Sequence, residues 1–125
     1  MNTLKRFNEV FVDLLRDLIH AVPGDTELRF YKTTVKTVLL LNKNLIRNIF
    51  ENNMHAYRTA ILNRDEQFLL ECNFEDLKRA PDGIFMKIVG KLKQVWKSLP
   101  EKRKNVIWLH FHILFLMLEQ MRESA

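Results

Sequence analysis

The longest apolar run of the chain covers residues 106–118, and only His110 and His112 interrupt it. A helix rises about 1.5 Å per residue, so this run is roughly 20 Å long and falls short of the roughly 30 Å hydrocarbon core of a bilayer. A helix that is apolar on nearly all sides but too short to cross a membrane is typical of the centre of a small bundle. We therefore expect the rest of the chain to pack around it.

Apolar residues recur every three or four positions over most of the remaining chain, which is the period of an α-helix. The pattern predicts helices over 4–22, 28–41, 45–62 (with an interruption near Asn52 and Asn53), 66–70 and 84–99, followed by the C-terminal helix. The β-branched residues at 33–38 would also suit a strand, but the apolar positions there do not alternate. The sequence thus predicts a single all-α domain over residues 1–125, a compact bundle of five to six helices around a buried C-terminal helix.

Several polar residues stand where these helices are expected to begin or end. Asp25 and Asp65 can each accept a hydrogen bond from an N–H group in the first turn of the helix that follows. Asn63 can end the helix that precedes Asp65. Ser98 and Glu101 have the spacing of a capping box at the start of the last helix. We therefore expect short turns between well-defined helices.

The composition is that of a helical globular protein, with 47% apolar and 28% charged residues, three glycines and three prolines. Gly90 lies inside the predicted fifth helix. There it either lowers helix stability by roughly 1 kcal/mol relative to Ala or marks the close approach of another helix. Cys72 is the single cysteine, so no internal disulfide can form and a reducing, intracellular compartment is expected. The N-terminal helix carries too many charged residues for a secretory signal.

Positive charge is concentrated between residues 87 and 104, where seven basic residues stand against Glu101 alone. We take these residues as a candidate basic binding surface: Lys87, Lys91, Lys93, Lys97, Lys102, Arg103 and Lys104. Such a segment can neutralise phosphates and bind nucleic acid without reading its sequence. It can also dock an acidic protein, or simply face solvent. Trp96 falls on the apolar side of the helix, so no exposed stacking platform is predicted.

A second candidate surface is the polar turn formed by Asn63, Arg64, Asp65 and Glu66. A structural role is available to it, because Asn63 can end one helix and Asp65 can cap the next. If the turn is instead a docking site, its four polar side chains must be exposed together.

The sequence shows no arrangement of residues typical of catalysis or metal binding. His110 and His112 are two positions apart, so a helix places them about 200° apart and they cannot share an ion. We expect one of them to bond a neighbouring backbone or carboxylate group instead. Cys72 lies among acidic residues, which disfavour its thiolate, and no phosphate-binding glycine loop or zinc-protease motif occurs. We therefore predict a non-enzymatic protein without a metal or cofactor.

Nine phenylalanines and two tryptophans offer more large apolar surface than a few short helices are expected to bury alone. An exposed remainder would mark an interface with a partner or with a second copy, and a well-filled core is the alternative. A protein partner or self-association is thus the expected mode of action, with nucleic acid as the alternative. Binding to an anionic membrane surface is disfavoured, because the C-terminal helix lacks a polar face.

Several segments together resemble short proteins encoded by nucleocytoplasmic large DNA viruses of algae and amoebae. The resemblance covers nearly the whole chain and is carried by Phe7-Asn8-Glu9, Val22-Pro23-Gly24-Asp25, Phe30-Tyr31-Lys32-Thr33, Tyr57-Arg58, residues 61–69, Trp96 and Lys104-Asn105-Val106-Ile107-Trp108. It carries over no catalytic residue. It implies a viral product that acts by binding, as a component of the virion or viral factory or as an adaptor for a host factor, located in the host cytoplasm, the viral factory or the virion.

Overall fold

The computed structural model describes residues 2–54, 57–71 and 83–124. Over these ranges the chain forms helices and no strand, so the predicted all-α class is confirmed. The helices are α1 (Thr3–Ala21), α2 (Thr26–Leu41), α3 (Leu45–Met54), α4 (Arg58–Leu62), α5 (Glu66–Glu71), α6 (Gly83–Val95) and α7 (Glu101–Ser124), with a 3₁₀ turn at Trp96–Ser98. The described helices number seven, because the predicted third helix is present as α3 and α4. None of them is long and apolar enough to cross a membrane.

The apolar period of α1 becomes one face of the core. The helix starts at the Asn2 side chain, which accepts a hydrogen bond from the backbone N–H of Lys5 (2.9 Å). Its buried residues recur at intervals of three and four: Phe7, Val10, Phe11, Leu14, Leu15, Leu18 and Ile19. α1 packs most extensively against α7 and α2, so α1 and α7 form the central pair of the bundle.

Two of the expected N-caps are present at the expected residues. The Asp25 carboxylate accepts from the backbone N–H of Leu28 (3.1 Å) at the start of α2. The Asp65 carboxylate accepts from the N–H of Phe68 (3.0 Å) at the start of α5. Asn63 is the residue at which α4 ends. These three predictions are confirmed.

The start of α7 differs from the predicted capping box. Ser98 belongs to the 3₁₀ turn, and its hydroxyl donates to the Val95 carbonyl (2.7 Å). α7 begins at Glu101, and the Pro100 carbonyl accepts its first intrahelical hydrogen bonds. The prediction was wrong because Ser98 closes the preceding turn and is not available to start the next helix.

Aromatic rings from α1, α3 and α7 meet inside the core. The ring of Phe50 lies 5.7 Å from that of Phe7, 5.1 Å from that of Phe115 and 6.3 Å from that of Phe111, measured between centroids. Phe30, by contrast, is 63% exposed on α2. The aromatic content therefore fills the core and also leaves apolar surface outside it.

α7 is buried on one face only, and this corrects the expectation that it is buried on nearly all sides. One face is buried and consists mainly of apolar residues: Lys104, Ile107, Trp108, Phe111, Leu114, Phe115 and Leu118. On the other face Leu109 and Leu116 are 51% and 57% exposed. α1 and α4 are the helices that pack most extensively on α7.

The β-branched part of α2 is helical, so the prediction of a helix and not a strand over this segment is confirmed. The hydroxyls of Thr33, Thr34 and Thr37 each donate to the backbone carbonyl four residues earlier (2.9–3.2 Å), so all three are satisfied within the helix. Gly90 is exposed on α6, and a Cβ added there would meet no atom of another described element within 4 Å. Gly90 therefore does not mark a close crossing with any of the described helices.

Candidate docking groove

The structure divides the predicted basic surface into outer and inner members. Five members are exposed or half-buried: Lys87, Lys93, Lys97, Lys102 and Arg103. Lys91 and Lys104 are buried, with 9% and 8% of their surface exposed. The predicted surface is corrected at these two positions, because both ammonium groups are ion-paired within the chain.

Lys91 ties α6 to the first turn of α2. Its Nζ lies 3.0 Å from the Asp25 carboxylate and 3.2 Å from the Glu27 carboxylate. The Tyr31 hydroxyl donates to the same Glu27 side chain (3.0 Å). Because Asp25 also caps α2, this lysine stabilises the helix start as well as the contact between the two helices.

The pKa values in this cluster follow from those contacts. Hydrogen bonds to Asp25 and Glu27 raise the pKa of Lys91. Burial raises the pKa of Asp25, but hydrogen bonds from Lys91 and a backbone N–H outweigh it, and the pKa lies below its ordinary value. Hydrogen bonds from Lys91 and Tyr31 lower the pKa of Glu27. Burial and the hydrogen bond to Glu27 raise the pKa of Tyr31. All four shifts favour the paired form at neutral pH.

Lys104 has a comparable role between α7 and α5. Its Nζ lies 3.3 Å from the Glu66 carboxylate and 3.7 Å from that of Glu101. It also lies 5.6 Å from the centre of the Trp96 ring, within the range of a cation–π contact. Trp96 is fully buried against Trp108, with ring centroids 5.0 Å apart. Lys104 therefore covers the core, and Trp96 offers no stacking surface to a nucleic acid.

The polar turn is largely engaged in holding the fold together. Asn63, Arg64 and Asp65 are exposed, whereas Glu66 is half-buried and holds the ion pair just described. Arg64 has a φ of 53° and closes α4, while its guanidinium donates to the Asn105 side chain (3.2 Å). Arg64, Asp65 and Glu66 each contact a different partner within the fold.

His110 connects α7 to α1. His110 Nδ1 lies 2.8 Å from the Val106 carbonyl oxygen, and its Nε2 lies 3.3 Å from the Asp17 carboxylate. The predicted bond to a backbone or carboxylate group is confirmed for His110. Over residues 2–54, 57–71 and 83–124, no three His, Cys, Asp or Glu side chains come close enough to hold a metal ion. Cys72 and the acidic residues at 75–76 and 82 lie outside these ranges.

A groove of about 520 Å³ lies between α1 and the second half of α2. We call it the α1–α2 groove. Its apolar lining consists of Leu4, Val12 and Leu39, all half-buried. The polar residues that line it are Asn2, Lys5, Asn8, Glu9, Asp13, Arg16, Lys36 and Lys43. The Asn8 side-chain amide donates to the Lys43 carbonyl (3.0 Å), which holds the chain after α2 against α1.

The two acidic residues of the groove already have partners. Glu9 pairs with Arg6 (3.1 Å) and Asp13 pairs with Arg16 (3.1 Å), each on the surface of α1. Both carboxylates are therefore at least partly neutralised by their own helix.

Three lysines of the groove have no ion-pair partner in the part of the chain that the structure describes: Lys5, Lys36 and Lys43. A neighbouring recess of about 420 Å³ shares Lys36 and is lined by Ile19, His20, Arg29, Lys32, Thr33 and Lys36. None of the described residues that line this recess is acidic. The α1–α2 face therefore combines an apolar lining with uncompensated positive charge.

Exposed apolar surface continues past the groove at the end of α2. Leu40 and Leu41 are 88% and 84% exposed, and Leu40 follows Lys36 by one helical turn. Large apolar side chains exposed beside a charged groove are typical of an interaction surface.

Sequence reasoning missed this groove because it is made by the packing of two helices. Lys32 and Lys36 read as the polar side of α2, and nothing local to them indicates that Lys5 and Lys43 lie nearby. The one signal present in the sequence is the three-four spacing of Arg29, Lys32 and Lys36 without an acid between them.

Comparisons with protein family models, curated proteins and solved structures found no match to this chain.

Proposed function

We propose that the protein is a non-enzymatic binding module that holds an acidic, amphipathic helix of a protein partner in the α1–α2 groove. The observation that carries the proposal is one recess with an apolar lining and three lysines that lack acidic partners in the described chain. Protein interfaces commonly have an apolar centre surrounded by a polar rim. The unoccupied surface of such an interface would combine apolar and charged residues as this recess does.

The shape of the groove suits a helix. Its lining extends along α1 from Leu4 to Arg16, which is roughly 18 Å of helix or more than three turns. An amphipathic helix presents apolar side chains at intervals of three and four residues and can lay them into such a groove. Those side chains would contact Leu4, Val12 and Leu39.

The charge of the rim favours an acidic partner. Glutamates or aspartates that flank the apolar face of the partner would meet Lys5, Lys36 and Lys43. Arg29 and Lys32, in the neighbouring recess, extend the positive field along α2. Such pairs at the rim contribute more to specificity and to the rate of association than to affinity.

The resemblance to proteins of large DNA viruses supplies a biological setting for this proposal. We propose a viral protein that acts through a protein partner, either within the virion or viral factory or as an adaptor for a host factor.

Sequence-independent binding of nucleic acid is the second candidate. It rests on the five outer members of the predicted basic surface, of which Lys87, Lys97 and Lys102 are exposed. It is the weaker candidate because Lys91 and Lys104 are neutralised by ion pairs. It predicts that affinity for duplex DNA falls as salt rises. For each phosphate contact, the logarithm of the association constant should fall by about 0.9 when the salt concentration rises tenfold.

The proposal is tested with a fluorescent model peptide of about 18 residues, roughly 27 Å long as a helix. The peptide carries leucines at three- and four-residue spacing and glutamates beside them, and the control peptide carries lysines in place of the glutamates. We expect fluorescence anisotropy to show that the protein binds the acidic peptide and does not bind the control peptide. The Lys36→Glu/Lys43→Glu variant should weaken this binding by about tenfold or more.

Lys87→Glu/Lys97→Glu is the matched control, since it reverses the same amount of charge on another face. This variant should bind the acidic peptide as the native protein does. Absence of peptide binding, or equal binding by the Lys36→Glu/Lys43→Glu variant, contradicts the proposal. Salt-dependent binding of a labelled DNA duplex that Lys87→Glu/Lys97→Glu abolishes would favour the second candidate.

A further inference from the structure

The exposed face of α7 has an apolar centre and polar ends. Leu109 and Leu116 are 51% and 57% exposed and lie two turns apart on this face. His112 and Ile113, both half-buried, lie between them. Exposed polar residues continue the face toward both ends of the helix: Lys102, Asn105, Gln120 and Glu123. We call these eight residues the α7 stripe.

The α7 stripe has nearly the same chemistry when it is read from either end. Its members at 102, 105, 109 and 112 stand at the same distances from its midpoint as those at 123, 120, 116 and 113. Leucine is thereby matched with leucine, carboxamide with carboxamide, and lysine with glutamate. A two-fold interface requires such self-matching, because every contact in it occurs twice with the roles exchanged.

The charges at the two ends distinguish the possible orientations. Lys102 and Glu123 are both exposed, and neither forms an ion pair within the described residues. Antiparallel pairing of two stripes places Lys102 of each copy beside Glu123 of the other. Parallel pairing would instead place like charges together at both ends, which is destabilising.

We propose that two copies of this chain associate through antiparallel pairing of their α7 stripes, forming a two-fold dimer. Leu109 of each copy contacts Leu116 of the other, and the lysine–glutamate pairs lie at the two ends. The spacing of Leu109, Ile113 and Leu116 by four and three residues is that of a helix-pair seam. The stripe shares no residue with the α1–α2 groove, so self-association and partner binding can be tested separately.

The size of the stripe sets the strength of the dimer. From Lys102 to Glu123 the helix extends roughly 31 Å, and a helix about 11 Å wide covers roughly 350 Å² on each copy. Stable complexes bury about 800 Å² on each partner. The dimer is therefore expected to be weak and concentration-dependent, with a Kd in the micromolar range or above.

Sedimentation velocity over a wide range of protein concentration tests the proposal. We expect the native chain to shift from monomer to dimer as concentration rises, and Leu109→Ser/Leu116→Ser to remain monomeric. Leu40→Ser/Leu41→Ser is the matched control, because it removes two leucines that are even more exposed, and it should dimerise normally. Monomer at every concentration, or dimerisation lost in the α2 variant and kept in the α7 variant, overturns the proposal.

A charge exchange tests the orientation. Lys102→Glu and Glu123→Lys should each weaken the dimer by roughly tenfold, since each turns two attractive pairs into two repulsive ones. The double variant restores both attractive pairs in an antiparallel dimer and should recover the native affinity. Failure of the double variant to recover it overturns the antiparallel arrangement.

Discussion

Lys87 and Lys91 stand one turn apart on α6 and have different roles. Lys87 is exposed, whereas Lys91 is buried and bonded to Asp25 and Glu27. Both belong to the same lysine-rich segment of the sequence, and helical periodicity assigns both to the polar side. The carboxylate of Glu27 is 64 residues away along the chain, so only the packing of α6 on α2 distinguishes the two lysines.

Lys91→Met should lower the free energy of unfolding by roughly 1–3 kcal/mol, because the largely buried Asp25 carboxylate loses one of its two donors and keeps only the N–H of Leu28. The methionine keeps most of the side-chain volume, so the loss is chiefly that of the ion pair to Asp25. Urea denaturation of Lys91→Met and of Lys87→Met measures the effect. The Lys87 variant should unfold within about 0.5 kcal/mol of the native protein, and equal losses in the two variants would contradict the role assigned to Lys91.

The difference between native protein and Lys91→Met should depend on pH in a defined direction. The pKa values of Asp25 and Glu27 are lowered from 3.8 and 4.5, so their stabilising effect is present above about pH 4.5 and is lost as pH falls through the lowered values. The pKa of Lys91 is raised from 10.5, so its effect is lost only as pH rises above that value. Urea midpoints of the two proteins should therefore differ most between about pH 5 and 10 and converge in acid.

At the level of the helices, local pattern was sufficient for most of the fold. α1, α2, α6 and α7 coincide with predicted segments because one-sided apolar spacing needs no knowledge of a partner. The caps at Asp25 and Asp65 were predictable for the same reason, since they act within one turn. Ser98 was misassigned because two local motifs, a capping box and a tight turn, compete for one hydroxyl.

Gly90 provides a test of helix propensity within α6. Gly90→Ala should raise the free energy of unfolding by about 0.5–1 kcal/mol, because alanine loses less conformational entropy in a helix. The added methyl group has room, since no atom of the other described helices lies within 4 Å of it. Thermal and urea denaturation measure the gain. A destabilised variant would mean that a neighbour occupies this space.

The whole molecule carries features that no local pattern contained. Residues 106–118 are apolar almost all round, so the sequence offers no means of deciding that Leu109 and Leu116 face outward. The α1–α2 groove likewise exists only once Leu39 and Val12 are brought together with lysines from separate segments. Burial of Lys91 and Lys104 removes two members from the predicted basic surface. The packing of α1 on α2, in turn, forms a groove that was not predicted. Charge counted along a chain therefore locates a surface less reliably than charge mapped on the folded molecule.

Asp25 connects two events that are usually separate in a helical bundle, the fraying of a helix end and the detachment of a neighbouring helix. Its carboxylate holds the amide of Leu28 and the ammonium of Lys91 at once, so opening of either site weakens the other. We therefore expect the first turn of α2 and the end of α6 to open as one cooperative unit. In native-state hydrogen exchange the amides of Leu28 and Leu92 should show the same opening free energy, and Lys91→Met should separate them by releasing Leu28 first. Independent exchange of the two amides in the native protein would contradict this expectation. It would mean that α2 and α6 open separately although both are bonded to the Asp25 carboxylate.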